Sequence, residues 1–291
     1  MSAGLCIGEL GRIAAPSRED FRARYLRRRE PIVLRGAASV WPATSKWSLK
    51  ALAARFHDRR VYVQQLDANH VTRYESGKRR QIAFGEFCVG LQATPPAPYY
   101  LVLANMLTSK SWLARFESPM FPELMADVNV PDLVPLSRVF EMNLWIGSAG
   151  TTSNLHFDPF DNLLAVVSGR KCVRIFSPNQ SRRMHLDSAL AVENPLHSPI
   201  DVMADSSDRY PEAAGLRYRT AVLEPGDILY MPAGYWHHVV TEETSIAVNV
   251  WWRDSRWLLE QFGTPLRRNT LWFIKQKLMP RARKLGDAGA R

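Results

Sequence analysis

The sequence predicts a mainly β fold with flanking helices, centred on a double-sheet jelly roll or small barrel. Three observations predict it. Eight runs of strand length crowd into the stretch from Val139 to Trp252, each bounded by Gly, Pro, Ser or Asp. Helical spacing of apolar residues appears before that stretch and again after it. Of the 291 residues, 46% are apolar and 23% charged, which suffices for one sizeable core and argues against extensive disorder.

Residues 18–60 read as mixed and largely helical. Ser48 is placed to cap a helix in which Leu49, Leu52, Ala53 and Phe56 share one face. VYVQQLD, from Val61, then alternates as a strand does, and the proline-bearing loop QATPPAPYY precedes LVLANML. The aromatic and proline-rich segment from Ser109 to Val134 carries no firm assignment. The strand runs that follow are VFEMNLWIG, SNLHFD, LLAVVSG, KCVRIFSP, TAVLEPG, DILYMP, YWHHVV and SIAVNVWW. The predicted organisation is thus an N-terminal mixed region, 1–138, packing on a jelly-roll core, 139–253. A polar surface insertion spans 179–219, and a basic helical segment spans 254–291. There is no internal repeat.

Composition narrows the chemistry. Cys6, Cys88 and Cys172 are widely spaced and odd in number, which suits neither a disulfide framework nor a CxxC zinc site. Any metal must therefore be held by histidine and carboxylate. The first twenty residues have no basic region leading into a long apolar run, and no run of eighteen apolar residues follows, so a soluble, intracellular protein is expected, in the cytoplasm or nucleus, without membrane contact. The net charge is +10, but from Thr264 onward eight Arg or Lys face the single acid Asp287. Most of the excess is terminal, where a solvated helix face is the plainer reading than a polyanion site. FRARYLRRRE near the other end adds five arginines with the same two readings.

The stretch NLHFDPFDN carries the chemical signal. Side chains at i and i+2 of a strand project together, so His156 and Asp158 form two corners of a metal site. A third corner is available in AGYWHHVV, where alternation lets only one of His237 and His238 face inward. Two histidines and one carboxylate around an otherwise open metal characterise non-haem iron(II) oxygenases. An HxD tripeptide alone is weak, because strand histidines more often serve as hydrogen-bond partners than as ligands. Asp161, out of phase with Asp158, reads as a turn cap. His57, His70, His185 and His197 read as surface or turn residues. Trp145, Trp236, Trp251 and Trp252 read as barrel-wall packing, with one or two of them at a substrate mouth.

The run SNLHFDPFDNLLAVVSGRKCVRIFSP, followed by LEPGDILYMPAGYWHHVV and AVNVWW, resembles the JmjC, cupin-type family of Fe(II)- and 2-oxoglutarate-dependent oxygenases. REPIVLRG and WPATSKWSL resemble the opening segment of such proteins. Within the small hydroxylase branch, the motifs are most similar to those of tRNA wybutosine-modifying hydroxylases and share a sparser pattern with asparaginyl hydroxylases. The resemblance implies a double-stranded β-helix core in which His156, Asp158 and His237 bind Fe(II) and His238 points outward. It also implies that Lys171 pairs with the distal carboxylate of 2-oxoglutarate, although by itself a lysine after SGR reads as a solvated hairpin residue. Asn162 and Asn249 match amide positions that contact this cosubstrate. Ser153 stands where relatives carry threonine, and Tyr100, in competition with Tyr99, would supply a phenolic hydroxyl.

The implied activity is a dioxygenase using Fe(II), 2-oxoglutarate and O2 to hydroxylate a protein or peptide residue or a modified tRNA nucleoside. A JmjC-type lysine demethylase and a non-enzymatic cupin-fold binding module are the alternatives. The C-terminal segment LRRNTLWFIKQKLM is a candidate homodimer contact.

Overall fold

The computed structural model describes residues 4–66, 71–72, 79–108, 119–130, 133–185, 196–204 and 208–252. The predicted C-terminal helical segment, with its dimer contact, and His70 lie outside them. In the N-terminal half, strands β1 (Leu5–Glu9), β2 (Arg12–Ala14) and β3 (Ile32–Arg35) alternate with the short helices α1 (Arg18–Phe21) and α2 (Pro42–Lys46). They are followed by α3 (Leu49–Phe56), β4 (Arg60–Gln65), β5 (Val71–Thr72), β6 (Arg79–Ala83), α4 (Phe84–Gln92) and β7 (Tyr99–Thr108). The second half carries the strands β8 (Val139–Gly147), β9 (Thr152–Phe157), β10 (Asp161–Ser168), β11 (Lys171–Phe176), β12 (Arg217–Leu223), β13 (Ile228–Met231), β14 (Trp236–Thr241) and β15 (Ser245–Trp252). None of the described helices is long and apolar enough to cross a membrane.

The strands form two facing sheets, as expected of the jelly roll. The smaller is ordered β1-β12-β11-β14-β9-β5 and the larger β2-β3-β13-β10-β15-β8-β7-β4-β6. Period-two alternation decides what each face meets. Val173, Ile175 and Val239 from the small sheet interdigitate with Leu164, Val166, Leu229 and Met231 from the large one. Because the large sheet is covered on its other face too, its central strands read as continuous apolar runs. There Leu163, Ala165, Val248 and Val250 pack on Leu52, Phe56, Phe84 and Phe87 from α3 and α4.

Local signals explain the helix and turn that matter most. Ser48 accepts a hydrogen bond from the Ala51 amide, capping α3, whose Leu52 and Phe56 are buried. Gly169 turns β10 into β11 at φ +73°, where a Cβ would run into the carbonyl oxygen of Thr244. A side chain here would displace the turn that starts β11 at Lys171.

The 179–219 segment does more than lie on the surface. Its Met184, Leu196, Ile200, Val202, Ala213 and Leu216 are buried against Leu155, Phe157, Phe176 and Trp236 on the outer face of the small sheet. Those outward apolar side chains need a cover, which the scattered apolar residues of this otherwise polar segment provide.

Candidate metal centre

The two histidines meet across a single strand pair. β9 runs antiparallel to β14 with Phe157 opposite Trp236 and His156 opposite His237. Residues directly opposite share a face, and the two imidazole centroids lie 4.1 Å apart. Asp158 sits one residue beyond β9, yet its carboxylate stays with the histidines, with Oδ2 3.8 Å from His237 Nε2. Ligand atoms of His156, Asp158 and His237 all fall within 4.8 Å of one another.

Hydrogen bonding sets the tautomers. His156 Nδ1 donates to Asn154 O at 2.6 Å, and His237 Nδ1 donates to Tyr235 O at 3.1 Å. A carbonyl oxygen only accepts, so in both rings Nδ1 carries a proton and Nε2 is left as the atom that can ligate. Burial pushes the His156 imidazole down to about 4, helped by the neighbouring His237 and opposed by Asp158, so it is neutral at pH 7. Asp158 Oδ2 in turn accepts from Asn162 Nδ2 and from Trp251 Nε1, each at 3.1 Å. Two imidazoles with Nδ1 engaged by backbone carbonyls, beside a carboxylate held by two outer donors, suit a divalent first-row metal, iron(II) included.

These side chains line a cavity that also receives Tyr100, Ser153, Lys171, Asn162 and Asn249. Lys171, inward at the start of β11, is 1% exposed; it donates to Thr241 Oγ1 at 2.9 Å and lies 5.7 Å from the Tyr100 ring. Burial alone pushes its ammonium down to about 7. Asn249 donates to Asn162 at 3.4 Å and accepts from Trp145 Nε1 at 2.6 Å, so an amide and indole chain runs along the large sheet to Asp158. Tyr100 is buried against Trp145, whereas Tyr99 is half-buried and accepts from Arg80. Gly147, opposite Tyr100, leaves room for that ring: a Cβ would stand 2.8 Å from it.

His238 points away from this cavity but is only 2% exposed, on the covered face of the small sheet, 3.4 Å from Arg174 Nη1. Burial is the main force pushing it down to about 3. Asp161 is likewise no ligand; it is buried and accepts from the Ala233 amide at 3.1 Å. Among the other histidines, His57 pairs with Asp58 and His185 with Glu212, both at the surface. His197 differs from the surface residue expected. It bridges to the His156 backbone, places its ring 5.0 Å from that of His156 and lines the cavity. The alternation of Leu196 and Ser198 with His197 and Pro199 was the available signal, hidden inside a polar segment. Trp145 and Trp251 also line the cavity, while Trp236 and Trp252 belong to the flanking cores.

A family model described as a cupin-like domain matches residues 18–256. The chain belongs to the cupin-like JmjC family. This JmjC chain is 29% identical over 253 residues to lysine-specific demethylase 8 of Xenopus tropicalis, covering 83% of the chain and 52% of that protein. It is 30% identical over 249 residues to tRNA wybutosine-synthesizing protein 5 of Gallus gallus, with 80% and 74% covered. Lysine-specific demethylase JMJ30 of Arabidopsis thaliana is 29% identical, with 82% and 53% covered. The chain thus spans about half the length of the demethylases it matches.

Proposed function

We propose that this JmjC chain is an Fe(II)- and 2-oxoglutarate-dependent hydroxylase acting on a protein residue or a modified tRNA nucleoside. The observation that carries the reading is one buried cavity holding both a two-histidine, one-carboxylate cluster and the ammonium of Lys171. His156, Asp158 and His237 would hold the iron, which with 2-oxoglutarate and O2 supplies a C–H oxidation whose co-products are succinate and carbon dioxide.

The chain's own residues explain why that chemistry belongs here. A dianionic cosubstrate entering a largely apolar cavity needs a positive partner, and the Lys171 ammonium, itself unfavourably buried, gains one when a carboxylate arrives. Asn162 and Trp251 hold Asp158 by neutral donors that leave its charge for the metal. Tyr100, Ser153 and Asn249 offer hydrogen-bonding groups to the same anion. The surrounding wall of Leu164, Met231, Val239 and Trp251 excludes water from a strong oxidant.

A second reading is favoured by the names of two relatives: demethylation of lysine at the same centre, in which the hydroxylated methyl group leaves as formaldehyde. Anaerobic loading with Fe(II) and 2-oxoglutarate, followed by air in the presence of peptide and tRNA pools, tests both. A substrate heavier by one oxygen supports the hydroxylase; loss of a methyl group with formaldehyde supports the demethylase. Absence of both succinate and charge-transfer absorbance removes the proposal.

A further inference from the structure

Beside the cavity lies a second concavity lined by Arg28, Arg29, Arg183, Arg217 and Arg219 against the single acid Glu30. Strand register fixes its relation to the metal cluster. His156 is opposite His237, His237 is opposite Ile175, and Ile175 is opposite Arg219. These four residues form one row across the small sheet, with side chains on the same face. Arg219 therefore stands two strands, about 10 Å, from His237 at the usual strand spacing. Arg217 precedes it by two positions on β12 and projects the same way, displaced by about 6.6 Å along the strand.

Arg183 is exposed and donates to Gly215 O at 2.9 Å. Arg28, Arg217 and Arg219 are exposed as well. Arg29 occupies the left-handed region at φ 53° and donates to Ala233 O at 2.8 Å. That bond ties the groove to the loop that leads into Tyr235, Trp236 and His237. A bulky residue is seldom held at positive φ, and Arg28 and Arg29 both line the groove. Tyr235 puts an aromatic ring on the groove wall, while its carbonyl fixes the His237 tautomer.

We infer that this arginine groove binds the phosphodiester backbone of an RNA strand and thereby presents a nucleoside to the neighbouring metal cavity. Guanidinium forks pair with phosphate oxygens, and an aromatic ring among them offers a stacking surface to a base. The inference rests on the hydroxylase reading and narrows its substrate to RNA.

The test uses the full chain and fluorescein-labelled total tRNA, with affinity read by anisotropy between about 50 and 200 mM salt. The wild type should bind with a steep salt dependence. Arg217→Glu/Arg219→Glu should weaken binding at least tenfold and flatten the slope by about 0.7 to 0.9 for each phosphate no longer neutralised. Arg217→Gln/Arg219→Gln should give a smaller loss in the same direction, and melting temperatures of both variants verify folding. Unchanged affinity and slope in the two variants would overturn the inference, as would poly-glutamate displacing tRNA at equal charge concentration. Charge-transfer absorbance of the wild type with Fe(II) and 2-oxoglutarate is read separately. Its absence overturns the hydroxylase reading, whereas RNA binding that ignores the arginines overturns the groove alone.

Discussion

The two sheets contribute different chemistry to the cavity. The small sheet supplies the ionisable groups His156, His237 and Lys171, whereas the large sheet supplies neutral hydrogen-bonding groups: Asn162, Asn249, Trp145, Trp251 and Tyr100. Asp158, in the connection between the sheets, touches both sets. The difference separates what holds a metal and an anion from what orients them. If the division is functional, damage to the small sheet removes the activity and damage to the large sheet grades it.

The largest break falls on the small sheet. His156→Ala, Asp158→Ala and His237→Ala should each abolish succinate formation and Fe(II)-dependent absorbance, because two remaining ligands leave the ion poorly held. Detectable turnover by any one of them would remove that residue from the metal set. Lys171→Met comes next and acts in two directions. Weakening of 2-oxoglutarate binding by about 2 kcal/mol or more is expected from truncating one side of a buried charge pair. The ligand-free protein, by contrast, should become more stable. Its ammonium is pushed down to about 7 by burial, so the unfolded chain binds the proton more tightly between about 7 and 10.5. Below pH 7 the folded protein therefore carries the full cost of that charge, which methionine removes; gains of about 1–4 kcal/mol accompany such replacements. Calorimetry and urea titration at pH 6.5 check both effects, and a variant that loses stability would mean Lys171 is structurally paired.

On the large sheet, Trp251→Phe keeps the ring but deletes one of the two donors to Asp158. Metal affinity should fall by about 10–100-fold without loss of fold, as for other outer-sphere partners. Titration with Mn(II), followed by its paramagnetic relaxation, measures it. An unchanged affinity would make Trp251 merely part of the wall and blur the contrast between the sheets.

The strands were legible because alternation and bounding turn residues are local signals: β8 and β15 begin and end where their apolar runs do, and Ser48 caps α3 as its spacing implies. The spacing of His156 and Asp158 was legible for the same reason. What resisted reading is non-local. β1 joins the small sheet by pairing in parallel with β12, about two hundred residues away, and nothing in LCIGE names that partner. The depth of Lys171 depends on Thr241 and Tyr100, which arrive from distant strands. His197 becomes a cavity residue only because the segment carrying it covers the small sheet. The arginines of β12 look like ordinary exposed strand residues until register places them in the row of His237.

The adjacent histidines of β14 give the finest form of the comparison, since they share a strand and differ only in the face they occupy. His238→Leu should retain most of the activity and the metal, in contrast to His237→Ala. Its effect should appear in acid. His238 is pushed down to about 3 and His156 to about 4, so the folded, metal-free protein refuses protons that the unfolded chain accepts near 6.5. Stability is then complete above about pH 6.5 and declines as pH falls towards these depressed values, by up to about 1.4 kcal/mol per pH unit for each histidine. Leucine at position 238 cannot take up that proton in either state. Urea unfolding at pH 7, 6 and 5 should show the variant losing less stability with each step than the wild type, by about one histidine's share. Equal slopes in the two proteins would mean that His238 takes up its proton in the fold as readily as in the unfolded chain.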